Sequence, residues 1–355
     1  MRITPKFLTT LAMLGGAYYV AKALVHQSRH FEWRGKVALV TGGSRGLGLV
    51  LARELVKRGV RVAICARTQE DVDLATNELR ALGGEVLGLA CDVRDEWQVR
   101  GLAHAVLRHW GNIDLLFNVA GIMQVGPLEA MTVDDFREAM DINCFGALHT
   151  TLAVLPTMRR QGWGRIVNVA SIGGKRAVPH MIPYDMSKFA LVGLSNGLRI
   201  ELAKDNILVT TACPSLMRTG SPRNATFKGR HREEYAWFSI GGSLPLAAIS
   251  AEAAASQILR ACQNGAGEVF ICNSFSPPVW ASQLAPTLTN EILTLVNRLL
   301  PTMGGIGQHA AFGYESESDY APSLLTALGD QAARQNNEMR PREQSRLQGD
   351  GFNHN

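Results

Sequence analysis

The sequence lacks any Cys-x-x-Cys pair, and no His stands near a cysteine at metal-ligand spacing. Zinc fingers and ribbons are therefore excluded, and no metal site is expected. Cys65, Cys91, Cys144, Cys213, Cys262 and Cys272 are too few for a disulfide scaffold in a chain of 355 residues. Most lie in apolar runs such as Val62-Ala63-Ile64-Cys65, which reads as buried, reduced thiols of a cytosolic domain. Charge of one sign is also scarce. The 36 Lys+Arg against 31 Asp+Glu leave a formal charge of +5, and no basic run is interleaved with aromatics. No nucleic-acid partner is expected from that balance. The 35 glycines follow no three-residue period, which excludes a collagen-like chain. Internal repeats are absent. An apolar fraction of 46% excludes general disorder and leaves ample material for a core.

What is present divides the chain into four stretches: an apolar segment over 1–30, a long patterned domain over 31–272, an amphipathic helical extension over 273–313, and a polar, partly disordered tail over 314–355. The patterned domain alternates short β-branched runs with helix-length segments. Strands are predicted at Val37–Thr41, Val60–Ala66, Glu85–Ala90, Ile113–Asn118, Arg165–Ser171, Ile207–Cys213 and Glu268–Cys272. Most are apolar throughout, as strands buried on both faces of a parallel sheet are. Helices are expected at Gly48–Arg58 and within 132–160, where Thr132 and Asp135 have capping-box spacing. The repeated strand–helix–strand order implies a single α/β domain, a doubly wound, Rossmann-type parallel sheet of about seven strands with right-handed crossovers. An N-terminal apolar helix and a C-terminal helical extension are expected to flank it.

The first strand runs into Thr41-Gly42-Gly43-Ser44-Arg45-Gly46-Leu47-Gly48 and then a helical pattern. Gly42, Gly46 and Gly48 have the spacing G-x3-G-x-G. Glycines let backbone approach a pyrophosphate, and the following helix N-terminus favours anions. The turn's position between a first strand and a first helix makes it a dinucleotide site. The end of the second strand, Ala66-Arg67-Thr68, carries no acid to accept from a ribose 2′-hydroxyl. Arg67 and Arg45 are instead placed to meet a 2′-phosphate, which predicts NADP(H) over NAD(H). Two solvated loop arginines are the alternative.

Tyr184 and Lys188 stand four apart, and Pro183 suits the first turn of a helix, so both side chains share one face. A phenol is almost wholly un-ionised at neutral pH, and a neighbouring ammonium is expected to lower its pKa. Ser171 ends a predicted strand at the carboxyl edge of the sheet, where its hydroxyl faces the cofactor crevice.

This combination resembles the classical short-chain dehydrogenase/reductase family over residues 34 to 272. Thr41-Gly42-x3-Gly46-x-Gly48 is similar to the family's cofactor turn, and Asp92-Val93 to its adenine-contacting pair. Asn118-Val119-Ala120-Gly121 resembles Asn-Asn-Ala-Gly, with Val119 replacing the second Asn. Pro214-Ser215-Leu216-Met217-Arg218-Thr219 resembles Pro-Gly-x-x-x-Thr, whose Thr meets the nicotinamide carboxamide; Ser215 departs from the usual Gly. Asn143, Ser171, Tyr184 and Lys188 fall where the family places its catalytic tetrad. The resemblance implies that Tyr184 is the acid/base and that Ser171 hydrogen-bonds the substrate oxygen. It implies that Lys188 binds the nicotinamide ribose and lowers the Tyr184 pKa, and that Asn143 holds a water extending a proton relay. For Asn143 and Ser171, purely structural roles in a helix and a strand-end turn are the alternatives.

Leu216 to Leu246 occupies the position of a substrate lid. It mixes Phe227, Tyr235, Trp237, Phe238 and Ile240 with Arg218, Arg223, Lys228, Arg230 and Arg232. Aromatics there suit a lipophilic substrate, and the cations a polar or anionic end; an ordinary mobile loop is the alternative. Phe7 to Val25 is 19 residues long and interrupted only by Lys22, close to the roughly 20 that span a bilayer. A membrane anchor is the leading reading, against an interfacial helix, a signal peptide flanked by Arg2 and Lys6, and a packed arm. With free thiols and NADPH, it implies membrane association with the catalytic domain facing the cytoplasm. Trp280–Leu300 has an amphipathic pattern that suits packing on the core, with a membrane surface or a roof over the pocket as alternatives. The expected activity is carbonyl–alcohol interconversion on a small lipophilic substrate by a homo-oligomer. A 3-oxoacyl-thioester reductase is the nearest alternative, and a non-catalytic NADP-binding sensor or scaffold the alternative of another class.

Overall fold

Each of the seven apolar runs becomes a strand of one sheet. They are β1 (Val37–Thr41), β2 (Arg61–Ala66), β3 (Val86–Ala90), β4 (Leu115–Asn118), β5 (Gly164–Val169), β6 (Ile207–Pro214) and β7 (Glu268–Ile271). The computed structural model describes residues 29–245, 248–273 and 284–339. All seven strands are parallel, in the order β3–β2–β1–β4–β5–β6–β7. The chain starts in the middle, builds outward to β3, then crosses back to build the other half. Between β1 and β4 the crossovers diverge, and that reversal opens a crevice at the carboxyl ends of the strands.

Alternation of side chains explains why the strands are apolar throughout. Ala38, Val40, Val62, Ile64, Leu115 and Phe117 pack on one face, against helices α1 (Gly46–Lys57) and α2 (Gln69–Ala81). Val37, Leu39, Ala63, Cys65, Leu116 and Ile166 pack on the other, against α3 (Glu96–Trp110) and α5 (Gly146–Gln161). Each fully buried Leu or Ile contributes roughly 1.5–3 kcal/mol, so neither face tolerates a polar residue without a partner.

Helix α4 (Val133–Met140) starts where the capping-box spacing places it. The Asp135 carboxylate accepts from the Thr132 N–H at 2.6 Å and from its hydroxyl at 2.8 Å. A π-helical segment, Asp141–Phe145, joins α4 to α5. Such segments often mark functional sites, and this one carries Asn143. Helix α6 (Ile182–Leu202) opens with Pro183 in its first turn. Helix α7 (His231–Ser243) lies in the predicted lid, and α8 (Ala251–Gln263) covers the same face as α1.

One feature differs from the packing expected of Trp280–Leu300. Helix α9 (Pro286–Asn297) forms, but none of its residues is buried, and Leu288, Ile292 and Leu295 are 61%, 54% and 61% exposed. An amphipathic pattern specifies an apolar face and leaves open what covers it. Beyond it, α10 (Ala327–Gln335) packs on α7, and the chain returns to the glycine-rich turn, burying Asn336, Glu338 and Met339. Expected disorder over Pro341–Asn355 and the apolar run Phe7–Val25 lie outside the described residues. Among the described residues no helix is long and apolar enough to cross a membrane.

Candidate active site

The glycine-rich turn is tied to its neighbour by one hydroxyl. Thr41 Oγ1 accepts from the N–H groups of Val119 and Ala120 at 3.0 and 3.2 Å, joining the carboxyl ends of β1 and β4. Gly42 adopts φ +65, and a Cβ on it would lie 2.8 Å from Ala120 Cα. On Gly48 a Cβ would collide with the Gly42 carbonyl oxygen. Both positions therefore require glycine. Ser44 and Leu47 are buried within the turn, and Arg45 is exposed at the N-cap of α1.

A donor of the turn and one from the segment after β6 face acceptors that follow α10. Gly46 N–H donates to the Asn336 carbonyl at 2.8 Å. Gly220 N–H, just past Thr219, donates to Glu338 Oε2 at 2.5 Å. A Cβ on Gly46 would stand 2.9 Å from Glu338 Oε1. A carboxylate thus stands in at the start of α1. These donors and this helix N-terminus accept an acidic group, so the residues present fit the pyrophosphate of a dinucleotide.

The predicted adenosine end is electropositive. Arg67 is exposed at the end of β2. Asp92 is held by Arg94 at 2.6 Å; that hydrogen bond, aided by the charges of Arg94 and Arg67, keeps its carboxyl below the usual carboxylate range. Val93 is buried against Gly146, where any Cβ would strike it. The Asn118 side chain is spent inside the sheet. Its amide donates to Asn168 Oδ1 at 2.8 Å, and its carbonyl accepts from the Thr150 hydroxyl at 2.6 Å.

Ser171, Tyr184, Lys188 and Asn143 come together beyond β4 and β5. Ser171 lies two residues past the end of β5, not in the strand as predicted, and heads a short 3-10 turn, Ile172–Gly174. Its Oγ accepts from Gly173 N–H at 3.0 Å, and its hydroxyl acts on the Tyr184 phenol, favouring the ionised form. Gly173 must lack a side chain, since a Cβ would come 2.6 Å from Asp185 Oδ1 and 3.2 Å from the Tyr184 ring. Lys188 Nζ lies 5.6 Å from the centroid of that ring and donates to the Val169 carbonyl at 2.9 Å. A Cβ on Gly121 would be 3.5 Å from Lys188 Nζ and 2.9 Å from Asn143 Oδ1, so this glycine leaves both groups room.

The expected electrostatics are corrected here. Burial pushes the Tyr184 phenol up to about 12, and the Ser171 hydrogen bond offsets only part of that. Burial also pulls the Lys188 ammonium down to about 8. Desolvation disfavours both charged forms, and it outweighs the expected ammonium–phenol attraction. Tyr184 is therefore a neutral O–H, placed to donate.

Asn143 makes the backbone contacts of its alternative reading. Its Oδ1 accepts from Ile122 N–H at 2.8 Å, and its Nδ2 donates to the Ile122 carbonyl at 3.1 Å and to Ser187 Oγ at 2.8 Å. Ser187 itself donates to the Tyr184 carbonyl at 2.7 Å. Sequence reading missed Ser187, whose signal was its position one residue before Lys188 on the same helix. Pro214 ends β6, and Thr219, buried, donates to Ser221 Oγ at 2.8 Å.

The lid is an ordered apolar cluster. Phe227, Tyr235 and Phe238 pack with Met181 and Val125, and Tyr184, Met123 and Trp237 lie against them. Two cations expected to read a substrate are spent internally: Arg223 on Glu317 at 2.8 Å, and Lys228 on Asp135 at 2.7 Å. Among the described residues no cluster of side chains suits a metal ion.

The profile of the short chain dehydrogenase family matches residues 36–228. A putative ketoacyl reductase of Streptomyces coelicolor is 40% identical over 186 residues, covering 52% of this chain and 71% of the relative. The dehydrogenase/reductase SDR family protein 7-like of Anopheles gambiae is 33% identical over 269 residues, covering 74% of this chain and 82% of the relative. A variant of actinorhodin polyketide ketoreductase, crystallised with NADPH, superposes with a TM-score of 0.60 at 32% identity, covering 67% and 95% of the two chains. With the seven-stranded parallel sheet and the glycine-rich turn, these likenesses place the chain in the classical short-chain dehydrogenase/reductase family, as an oxidoreductase with a nicotinamide cofactor.

Proposed function

We propose that the protein reduces a carbonyl group on a lipophilic substrate, using NADP(H). The observation that carries this reading is the convergence of Ser171, Tyr184 and Lys188, with Gly173 lying between the serine hydroxyl and the phenol ring and Tyr184 set against an apolar cluster. Gly42, Ser44, Arg45, Gly46, Leu47 and Gly48 would hold the pyrophosphate side of the cofactor, with Asp92, Val93, Arg67, Asn118, Ala120 and Gly121 along the adenosine side and Pro214 and Thr219 toward the nicotinamide. When bound, the cofactor supplies or accepts a hydride. Tyr184 gives its proton to the substrate oxygen in reduction and takes one from the alcohol in the reverse direction. Ser171 hydrogen-bonds that oxygen and stabilises the charge that develops on it. Lys188, held by the Val169 carbonyl, places a cation behind the phenol, and Asn143 fixes Ile122 beside it. Arg67 and Arg45, with no acid at the tip of β2, favour the 2′-phosphate.

A second reading has specific support. Three Streptomyces relatives carry the name putative ketoacyl reductase, which favours a 3-oxoacyl-thioester substrate. The internal pairing of Arg223 and Lys228 weighs against an anionic carrier bound through those two residues. A cofactor-binding sensor is disfavoured because it needs no proton donor, and Ser171, Tyr184 and Lys188 are all in place. NADPH oxidation against ketones, steroids, retinals and oxoacyl thioesters separates these readings. Turnover of ketones or steroids supports the first, thioesters alone the second, and none the third.

The same proposal extends to location. A 19-residue apolar run at Phe7–Val25 supports a membrane anchor, with the catalytic domain on the cytoplasmic side where NADPH and free thiols belong. The bare Leu288, Ile292 and Leu295 of α9 suit the same surface. Recovery in the membrane pellet after salt washing is the expected result, and full recovery in the supernatant would remove the anchor. The family's habit of association makes a homo-oligomer the expected form.

A further inference from the structure

The phosphate end of the cofactor seat already has an occupant, and it is part of this chain. Residues 336–339 follow α10 and run across the start of α1. The Asn336 carbonyl takes the Gly46 N–H at 2.8 Å, and Glu338 Oε2 takes the Gly220 N–H at 2.5 Å. Both acceptors are buried, Asn336 completely. The segment is tied down on both sides. Arg53 of α1 donates to Asn336 Oδ1 at 2.6 Å and to the Gln335 carbonyl at 2.7 Å. Asn224 donates to the Glu338 carbonyl at 3.1 Å. Ala333, fully buried, lies against Gly220, where a Cβ would come within 2.7 Å of it.

These contacts cannot coexist with a pyrophosphate on the same donors. The Gly46 N–H, at the start of α1, has one hydrogen to give and Asn336 takes it, and the Glu338 carboxyl, anchored by the Gly220 N–H, fills the space over the same glycine. We propose that Asn336 and Glu338 are an internal plug of the cofactor seat, a carboxylate and a carbonyl occupying the donors that phosphate oxygens would take, so that the dinucleotide enters by displacing the segment that follows α10. This rests on reading the Gly42–Gly48 turn as the seat. The plug is built to yield. Glu338 is an acid in a closed site, where burial pushes its carboxyl up to about 7 and the charge of Arg45 pulls it down only in part. A phosphate group carries its charge at any physiological pH and meets Arg45 at full strength.

The test uses the full-length protein, with NADP+ and NAD+ each titrated by calorimetry. Glu338→Ala is expected to tighten the better cofactor about tenfold. Glu338→Gln keeps an oxygen for Gly220 and is expected to fall between the two; it carries the test if the alanine variant melts early. In parallel, trypsin is applied to the wild type with and without cofactor, and the fragment ending at Arg334 is followed by mass. Displacement predicts faster cleavage there when cofactor is bound. Equal affinities in all three proteins, or protection of Arg334 by cofactor, would overturn the plug and make the segment a cover that closes over the dinucleotide. Binding to the variants alone would support it most strongly. Binding to none removes the seat, and the plug with it.

Discussion

Lys188 reaches past Tyr184 to the main chain of β5: its Nζ gives a hydrogen bond to the Val169 carbonyl at 2.9 Å while standing 5.6 Å from the centre of the phenol ring. The two groups are neighbours, but the ammonium's hydrogen bond goes to backbone. The phenol is neutral at its ordinary pKa, desolvation moves it further up, and Ser171 offsets part of that rise. The arrangement suits proton donation to a substrate oxygen. Tyr184→Phe deletes that proton and little else, since the ring and its packing against Met181 and Phe227 remain. Turnover should fall by roughly 10²–10⁴, the range of a positioned acid. Equilibrium titration of the cofactor should change less than twofold. A variant that still oxidises NADPH at the wild-type rate would remove Tyr184 from the chemistry.

Lys188 also imposes a stability cost whose pH dependence has a definite sign. In the folded chain burial lowers its ammonium to about 8, against 10.5 for an exposed lysine. Below pH 8 both folded and unfolded forms are protonated, and the folded one bears the whole penalty of a buried cation. Between pH 8 and 10.5 the unfolded chain binds more protons, so this contribution rises with pH. The full span corresponds to on the order of 3 kcal/mol. Lys188→Met removes it, so the variant's stability relative to wild type should be greatest at pH 7 and should shrink by about that amount at pH 10.5. Urea denaturation at both pH values measures the gap. A gap that does not move with pH would contradict a buried, strained ammonium. Activity should be lost in the same variant, since the cation behind the phenol is gone.

Asp185, next to Tyr184, carries the opposite sign. It is buried with Oδ2 accepting from Val178 N–H at 2.7 Å and Oδ1 without a hydrogen bond. Burial pushes its carboxyl up to about 8, with Val178 and Arg176 offsetting part of the rise. The folded state therefore holds a proton that the unfolded state releases above its ordinary value of 3.8. Stability from this group is complete below about pH 4 and declines as pH rises toward 8. Asp185→Asn supplies a permanently neutral side chain with an oxygen for Val178. A gain on the order of 1–3 kcal/mol at pH 7 is expected, seen as a rise of a few degrees in Tm. The gain should vanish at pH 4. Destabilisation at neutral pH would mean that the carboxylate is ionised in place.

Much of this architecture was legible in the sequence because its causes are local. Strands buried on both faces must be apolar throughout, and all seven runs became strands. Pro183 and the Thr132–Asp135 pair announced helix starts, and glycines announced a turn that only glycine can make. Tertiary causes were not legible. The rise of the Tyr184 pKa comes from neighbours brought in by α6 and the lid. The burial of Arg223 and Lys228 depends on Glu317 and Asp135, which lie 94 and 93 residues away. Asn336 meets the glycine-rich turn at Gly46, and Glu338 meets Gly220, each through a single hydrogen bond to backbone that leaves no periodicity. The face of α9 was readable, and its lack of cover was not.

The proposed preference for NADP(H) rests on Arg67. It stands exposed where β2 ends, two residues past Cys65, with Thr68 following and no carboxylate at the tip. Its charge already acts on Asp92, which Arg94 also holds. A 2′-phosphate brings two negative charges to a planar guanidinium that can bond it at two points, whereas a 2′-hydroxyl offers it little. Hydrogen bonds to charged groups contribute about 1.5–3 kcal/mol, which is roughly 10- to 100-fold in affinity. Arg67→Ala should raise the KM for NADPH by that factor and leave the KM for NADH within twofold. Arg67→Asp goes further. It places an acceptor where a ribose 2′-hydroxyl can donate and repels the phosphate, so preference should invert. Steady-state kinetics with both cofactors decides the matter. If the wild type shows comparable KM values for NADPH and NADH, or if Arg67→Ala weakens both equally, the guanidinium is a solvated loop cation and the cofactor is selected elsewhere.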